Sequence, residues 1–358
     1  MSNILTAHRQ WATRPSDERF QSVDAMLDSV LKRKYVSQEY MATLGQMEIV
    51  ENTDWDTGAK DLVVDTPLRR TKLSNWSFGQ LAKAADAPPG YLERLPNDLI
   101  IKNLTHGIQE NAGQEIMLYE GTDPKNQTLQ AITSKNYSRI YDADVIQWIK
   151  PLVERTGFKL PMQYKDGKWG AELVPGGAYA SDRDMFLFMV DDEKRIEVAG
   201  ESLGRGFFLW NSEVGSKSFG IETFLYRYVC NNNIVWGAQE HRKFRTIHVG
   251  QLAGERAAHM LEQNLTSYIN TDTSADIEMI LRNKSNIVAK NEEQAVEWLI
   301  GQGFGKKVSE SATRLAVGEE NRCDSVWSLV QGLTAYARSI KHADQRALLE
   351  RAAGKLLG

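Results

Sequence analysis

The chain has 358 residues, of which 42% are apolar and 25% are charged, and its formal net charge is −4. This composition is typical of a folded, water-soluble protein and excludes disordered and collagen-like chains. No run of about 18 apolar residues occurs, so the sequence predicts no membrane-spanning helix. The charge balance excludes a surface that is basic all over, although it is compatible with a local basic groove.

The first residues and the cysteine content indicate in which cellular compartment the protein folds. The N-terminus lacks the basic flank and the apolar stretch that a secretory signal needs. Two cysteines, Cys230 and Cys323, are too few for a disulfide framework, which fits a reducing environment. We therefore expect a cytoplasmic protein without a membrane contact.

The first third of the chain predicts mainly helices. Apolar residues recur at helical spacing within 22–44, and we expect the basic run at 32–34 to be a solvated helix end. Residues 52–72 are polar and predict irregular structure. Residues 76–108 predict two short amphipathic helices that are separated at Pro88-Pro89-Gly90.

The middle of the chain predicts a sheet backed by helices. Residues 115–121 and 128–134 predict a hairpin, and 142–154 predict a helix with one apolar face. Runs of aromatic and branched residues then predict three consecutive strands, at 185–191, 206–212 and 219–230. A helical pattern follows from around residue 249, so the order is β-β-β-α.

These elements predict an α+β protein with a bent antiparallel sheet and a β-β-β-α core. We divide the chain into an N-terminal helical region, 1–112, an α+β core domain, 113–272, and a C-terminal helical region, 273–358. Within the last region, 291–300 and 325–340 predict helices, and 301–322 predict a linker or partner-binding segment.

Several catalytic motifs are absent. The sequence contains no G-x-x-x-x-G-K-[ST], H-E-x-x-H or Cys-x-x-Cys, which excludes the corresponding nucleotide-driven motors and zinc proteins. We predict no cofactor and no metal. His241 and His248 lie close in sequence, and we expect hydrogen-bonded structural histidines.

Carboxylates flank the first of the three predicted strands. Asp182 and Asp184 precede it, and Asp191 and Asp192 follow it. The strand between the two pairs spans about 20 Å, so they cannot share one metal ion without further ligands. We expect these residues to cap turns.

Basic residues concentrate near the same strands. The sequence HRKFR, residues 241–245, places three cations around an aromatic residue, and further cations precede it. Cations that bind phosphates, next to aromatic surfaces that bind bases, are typical of single-stranded nucleic-acid sites. The candidate nucleic-acid-binding residues are Arg205, Lys217, Arg227, Arg242, Lys243, Phe244 and Arg245.

Arg227 is a special case among these residues. Strict alternation in strand 219–230 places Arg227 on an apolar face, where a guanidinium needs a partner. That partner is either internal, with Glu222 as one example, or a phosphate of the ligand.

Segments 181–198 and 206–250 resemble the phage/plasmid-like family known as domain of unknown function 932. The resemblance extends to 78–96 and 325–357, and it includes the pattern Arg-Tyr-Val-Cys-x-Asn, residues 227–232, with His248-x-Gly250. The β-β-β-α order is also similar to phage single-strand annealing proteins of the Red-beta, RecT and Erf kind. This second resemblance implies a protein that holds DNA in a basic groove shared within a ring or filament.

The resemblances imply ATP-independent binding and annealing of single-stranded DNA in phage or plasmid recombination, inside a bacterial host cell. Single-stranded DNA and further copies of the chain are the implied partners. Two alternatives remain open. A metal-dependent nuclease would require several of Asp182, Asp184, Asp191, Glu197 and Glu222 to converge with His248. A counter-defence or partner-binding protein would have no affinity for nucleic acid.

Overall fold

The computed structural model describes residues 15–53, 60–123, 127–164, 172–191, 193–227, 234–235, 243–250, 252–337, 339–340 and 343–358. Within these residues the α-helices are α1 Val23–Tyr35, α2 Asn75–Ala84, α3 Pro89–Leu92, α4 Asn97–Glu110, α5 Asp142–Glu154, α6 Ala253–Asn270, α7 Ser274–Ser285, α8 Glu292–Gly301, α9 Lys306–Glu320, α10 Val326–Ala337 and α11 Ala343–Gly354. None of these helices is long and apolar enough to cross a membrane.

The strands form two larger sheets and one hairpin. They are β1 Arg19–Phe20, β2 Ser37–Thr43, β3 Glu48–Thr53, β4 Lys60–Asp65, β5 Arg70–Leu73, β6 Glu115–Gly121, β7 Thr128–Ser134, β8 Phe158–Lys159, β9 Met162–Tyr164, β10 Leu173–Pro175, β11 Ala178–Ala180, β12 Met185–Asp191, β13 Ile196–Val198, β14 Glu201–Asn211, β15 Phe219–Arg227, β16 Ile234–Val235 and β17 Lys243–Thr246. The α+β fold class is therefore as predicted.

Sheet A contains the three strands with the strongest sequence signal. Its main hydrogen-bonded order is β1-β11-β12-β14-β15-β16, and all of these neighbours are antiparallel. β13 pairs with β14 and lies between β12 and β14 in sequence. β17 pairs with β15 beside β16, along a different part of the strand. Three short strands, β13, β16 and β17, therefore interrupt the simple order that the sequence predicts.

Helices α5 and α6 cover one face of sheet A. Alternate residues of β12, β14 and β15 point to this face, because side chains along a strand alternate between its two sides. In α6 the buried residues Ala257, Leu261 and Leu265 recur every four positions, so one side of the helix is apolar. This packing forms a core whose sheet residues are Met185, Leu187, Met189, Phe207, Leu209, Phe219 and Ile221.

Sheet B contains six strands in the order β2-β6-β7-β5-β4-β3. Helices α2 and α4 pack on one of its faces. The predicted hairpin β6-β7 is correct, but four strands come from the region that we expected to be helical. Residues 52–72 were predicted to be irregular, and they contribute to three of these strands. The sheet also continues across the boundary that we drew at residue 112.

The first helix is shorter than its sequence pattern suggests. α1 begins after Ser22, whose side chain accepts a hydrogen bond from the Ala25 backbone N–H, and it ends at Tyr35. The chain then enters β2. Arg33 is not at a solvated helix end as predicted, because its guanidinium bonds Asp142 of α5.

The C-terminal helices pack on the end of sheet A that carries β13. Ile196 and Leu203 belong to the same apolar core as the buried helix α10. The predicted helices at 291–300 and 325–340 are confirmed as α8 and α10. The segment 301–322 is not a linker, because it contains α9, which packs closely against α10. Where the two helices meet, a Cβ on Gly332 would lie 2.1 Å from the Ala312 carbonyl oxygen.

Candidate nucleic-acid interface

The second face of sheet A is aromatic. Residues paired in register form a row across five strands, from Tyr179 through Phe186, Trp210 and Gly220 to Arg245. The Trp210 ring lies over Gly220, since a Cβ there would be 2.2 Å from Trp210 Cζ2. Phe186 and Trp210 are 5% and 9% exposed, so their rings are mostly covered. The row ends at Arg245, which is exposed.

Two further cations lie at the same end of the sheet. Lys217, in the turn between β14 and β15, places Nζ 5.5 Å from the centroid of the Phe186 ring. Arg183, in the turn between β11 and β12, lies 4.6 Å from the centroid of the Trp76 ring. The Ser212 hydroxyl donates to the Arg183 carbonyl oxygen at 2.7 Å, which joins the two turns.

We name this group of residues the cation–aromatic patch. Its members are Trp76, Arg183, Phe186, Trp210, Lys217 and Arg245. No carboxylate forms an ion pair with its three cations among the described residues. Trp76 and Lys217 are half-buried, and Arg183 and Arg245 are exposed. The patch can therefore present positive charge to a solvent-borne anion.

The turn that carries Lys217 is held by bonds from α2 and from the segment that follows sheet B. The Val214 carbonyl oxygen accepts hydrogen bonds from Trp76 Nε1 at 2.7 Å and from Gln80 Nε2 at 2.8 Å. The Tyr137 hydroxyl donates to the Ser212 carbonyl oxygen at 3.1 Å. These bonds leave the turn little freedom, so the position of Lys217 is set by the scaffold.

A buried charged cluster lies directly under this turn. Asp142 and Glu213 are 1% and 3% exposed. Asp142 accepts hydrogen bonds from Arg33 at 2.5 Å and from Asn211 at 2.7 Å. Glu213 accepts from the Asp142 backbone N–H at 2.8 Å and bonds Arg139 through its carbonyl oxygen. Because these residues come from α1, α5, β14 and its turn, and the loop before α5, the cluster joins sheet A to its neighbours.

The protonation of this cluster is perturbed. Burial, and then the nearby Glu213, raise the pKa of Asp142 to about 7, although Arg33 and Asn211 act in the opposite direction. Burial, with Arg139 as the second cause, lowers the pKa of His248 to about 4. At neutral pH the His248 ring is therefore uncharged, while Asp142 titrates near neutrality.

His248 differs from the structural histidine that we expected. It is 4% exposed, and its ring stacks on Tyr137 with 5.2 Å between centroids and 7° between planes. Neither ring nitrogen has a hydrogen-bond partner among the described residues. The aromatic contact, and not a hydrogen bond of the ring, holds this side chain. His241 lies outside the described residues.

Comparison with known proteins identifies the family. The sequence model of a domain of unknown function (DUF932) matches residues 130–345, which is more than half of the chain. The chain belongs to the DUF932 family. Neither the search of curated proteins nor the search of solved structures found a match. The matched part of this DUF932 protein includes Arg183, Lys217 and Arg245, whereas Trp76 and Arg33 precede it.

Arg205 does not belong to the patch of the DUF932 protein. Its guanidinium bonds Asp276 through Nε at 3.0 Å and through Nη2 at 2.8 Å. It also donates to the carbonyl oxygens of Tyr268 and Thr271, at the end of α6. A cation at a helix C-terminus is favourable because the last carbonyl groups have no partners within the helix. This arginine is therefore a structural cation that a phosphate cannot reach.

The remaining predicted site residues divide into three groups. Lys217 and Arg245 lie in the patch. Phe244 is partly buried and packs against the core beside Phe219, at 6.5 Å between ring centroids. Arg242 and the side chains of Arg227 and Lys243 lie outside the described residues. Sequence reasoning missed Arg183 and Trp76, since nothing in the sequence brings them beside the turn of Lys217.

The carboxylates of the DUF932 protein take separate partners. Asp191 Oδ1 accepts from the backbone N–H groups of Glu193 and Lys194, which confirms a turn role. Glu222, which we considered as a partner of Arg227, bonds Arg351 of α11 at 2.6 Å. Among the described residues no group of three or more His, Cys, Asp or Glu side chains could hold a metal ion. Asp192 lies outside the described residues.

Proposed function

We propose that this protein binds single-stranded DNA at the cation–aromatic patch and brings complementary strands together without hydrolysing a nucleotide. The observation that carries the proposal is the convergence of Arg183, Lys217 and Arg245 on one end of sheet A, without carboxylate partners among the described residues. Phosphate groups bind to such cations, and the half-buried Trp76 beside Arg183 offers an aromatic surface to a base or a sugar.

Three paired cations in or next to sheet A support this assignment by contrast. Arg33, Arg205 and Arg351 each bond a carboxylate, and each joins two separate elements of the fold. Their positive charge is already balanced by a carboxylate within the protein. Among the described residues the cations of the patch form no such link, so their charge is available to a partner.

The proposed mechanism is physical and breaks no bond. The patch of one copy offers few phosphate contacts, so the affinity of a single copy is weak. Copies that assemble in a ring or filament on one strand would add their contacts through a high effective concentration. Base edges turned away from the cations would then be free to pair with a complementary strand. Phage or plasmid recombination in a bacterial cytoplasm is the proposed setting.

Fluorescence anisotropy with a labelled single-stranded oligonucleotide tests the proposal. We expect the logarithm of the binding constant to fall linearly with the logarithm of salt concentration. The triple variant Arg183→Gln, Lys217→Gln, Arg245→Gln should make this slope less negative by about 0.7 for each phosphate that it no longer neutralises, hence by about 2. Lys306→Gln with Lys307→Gln, two exposed positions of α9, is the matched control and should leave the slope unchanged.

Asp182→Asn should change the affinity for the oligonucleotide in the direction opposite to the triple variant. Asp182 is exposed beside Arg183, so removing its negative charge should tighten binding at low salt. An unchanged salt slope in the triple variant would show that the patch does not contact the phosphates. Absence of binding by the wild-type protein would favour a partner-binding protein, and magnesium-dependent loss of the oligonucleotide would favour a nuclease.

Annealing needs its own measurement. Two complementary strands carrying a donor and an acceptor dye should pair faster in the presence of the protein, with a chelator and without nucleotide. Mass measurement with and without the oligonucleotide should show a larger assembly on DNA. Binding without faster pairing would reduce the proposal to single-strand binding.

A further inference from the structure

Three large apolar side chains are exposed in one short segment. Ile247, Val249 and Leu252, between β17 and α6, are 59%, 46% and 55% exposed. We name these three residues the apolar ridge. Burying a large aliphatic side chain is worth about 1.5–3 kcal/mol, so three exposed ones so close in sequence indicate a surface that contacts a partner.

The backbone of the ridge is fixed in place. The His248 side chain is buried between the exposed residues on either side of it, and its carbonyl oxygen accepts from the Ser138 backbone N–H at 3.0 Å. Arg256 donates to the Val249 carbonyl oxygen at 2.7 Å. Val249 also forms an isolated bridge with Tyr137. The apolar side chains therefore point outward from an anchored frame.

The ridge continues the surface proposed for DNA. Arg245 and Ile247 are separated by one residue, so their Cα atoms lie within about 7 Å of each other. Arg256 adds a second exposed cation beside Val249. The aromatic rings Phe186 and Trp210 are mostly covered, so the patch itself offers bases little apolar surface apart from Trp76. The ridge supplies apolar surface next to the cation at the end of the row.

We propose that the bases of the bound single strand pack against the ridge formed by Ile247, Val249 and Leu252 while the phosphates contact Arg245. This inference rests on the proposed function and extends it from phosphate contact to base contact.

The experiment compares an oligonucleotide with an abasic strand that has the same number of phosphates. The variant is Ile247→Thr with Leu252→Ser. Thr keeps a β-branched side chain at 247, and Ser at 252 occupies the position before α6, where serine favours helix formation. Both replacements are therefore expected to leave the fold intact. Leu281→Gln, at a position of α7 that is 46% exposed, is the matched control.

We expect wild type to bind the normal strand more tightly than the abasic strand at equal salt. The ridge variant should lose about tenfold in affinity for the normal strand, which corresponds to partial loss of buried apolar surface. Its affinity for the abasic strand and its salt slope should match wild type. Leu281→Gln should match wild type in all three measurements.

Each other outcome overturns the inference. Equal affinity of wild type for the two strands, or equal loss of both in the variant, would exclude base contact at the ridge while leaving phosphate binding intact. A change in the mass of the DNA-free protein would assign the ridge to a contact between copies. Failure of wild type to bind either strand would overturn the proposed function together with the inference.

Discussion

Replacement of Arg205 by Met should destabilise the protein strongly without changing its intrinsic affinity for DNA. The arginine bonds Asp276 and the carbonyl oxygens of Tyr268, Thr271 and Asp272. Its side chain is 10% exposed and that of Asp276 is 5% exposed. Met keeps most of the apolar volume, so the main effect is a buried carboxylate without its cation.

The expected magnitude follows from that stranded charge. Removing one partner of a buried ion pair costs about 3–5 kcal/mol, because the other partner remains desolvated. The further loss of donors at the end of α6 acts in the same direction. Replacing Asp276 by Leu as well removes the stranded charge, so the double variant Arg205→Met, Asp276→Leu should recover part of the loss.

Urea unfolding followed by tryptophan fluorescence measures the change in the free energy of unfolding. Arg245→Met is the control at an exposed position and should change stability by less than about 0.5 kcal/mol. Anisotropy below the unfolding transition should show that Arg205→Met retains the wild-type salt slope. A stability loss below about 1 kcal/mol, or a slope change equal to that of Arg245→Met, would refute the assignment of Arg205 as a structural cation.

Two further predictions concern packing and pH. Gly220→Ala should destabilise by about 1–3 kcal/mol, since its Cβ would lie 2.2 Å from Trp210 Cζ2, and thermal unfolding should show it. In Gly254→Ala of α6 the added Cβ would have no heavy atom from outside its own helix turn within 4 Å, so this variant should be stabilised by up to about 1 kcal/mol. A loss of stability similar to that of Gly220→Ala would contradict the packing argument. In Asp142→Asn the free energy of unfolding should rise from about pH 4 to pH 6.5, because the effect of His248 is then no longer offset by the opposite effect of Asp142. In His248→Gln the free energy of unfolding should fall from about pH 4 to pH 7. The change in either variant is up to about 1.4 kcal/mol per pH unit. Both predictions would be contradicted by pH profiles of the two variants that run parallel to each other.

The signs of the pH effects follow from the direction of each pKa shift. The pKa of Asp142 is raised to about 7, so its contribution to stability is complete at low pH and is lost as pH rises through 7. The pKa of His248 is lowered to about 4, so its contribution is present above about pH 6.5 and is lost as pH falls through 4. In wild type the two effects on the free energy of unfolding oppose each other. Asp142→Asn leaves only the effect of His248, and His248→Gln leaves only the effect of Asp142.

Sequence patterns predicted the strands that are buried on both faces and the helices that bury a run of apolar residues. β12 and β15 begin at the predicted residues, and α6 and α10 lie where apolar residues recur at helical spacing. These patterns depend on residues close in sequence, so they are visible without the fold. In sheet B, the polar strands β3 to β5 gave no such signal, because one face of this part of the sheet is exposed and carries charged residues such as Arg70 and Lys72.

The site was less predictable because it depends on distant contacts. Lys217 and Arg245 were identified from their charge and position near strands. Arg205 carries the same charge, and its partner Asp276 is 71 residues away, so no local pattern distinguishes it from a ligand-binding arginine. Phe244 was interpreted as a stacking residue, whereas the register of β17 against β15 turns it toward the core. Partner identity and strand register decide these cases, and both require the fold.

Among the described residues, three ion pairs connect sheet A to the C-terminal helices: Glu201–Lys284, Arg205–Asp276 and Glu222–Arg351. A chain truncated after α6 would leave Glu201, Arg205 and Glu222 without these partners on a surface newly opened to water. Such a truncation would therefore perturb the sheet itself. Loss of DNA binding in a deletion mutant would not place the binding site in the deleted helices, and point substitutions are needed to locate it.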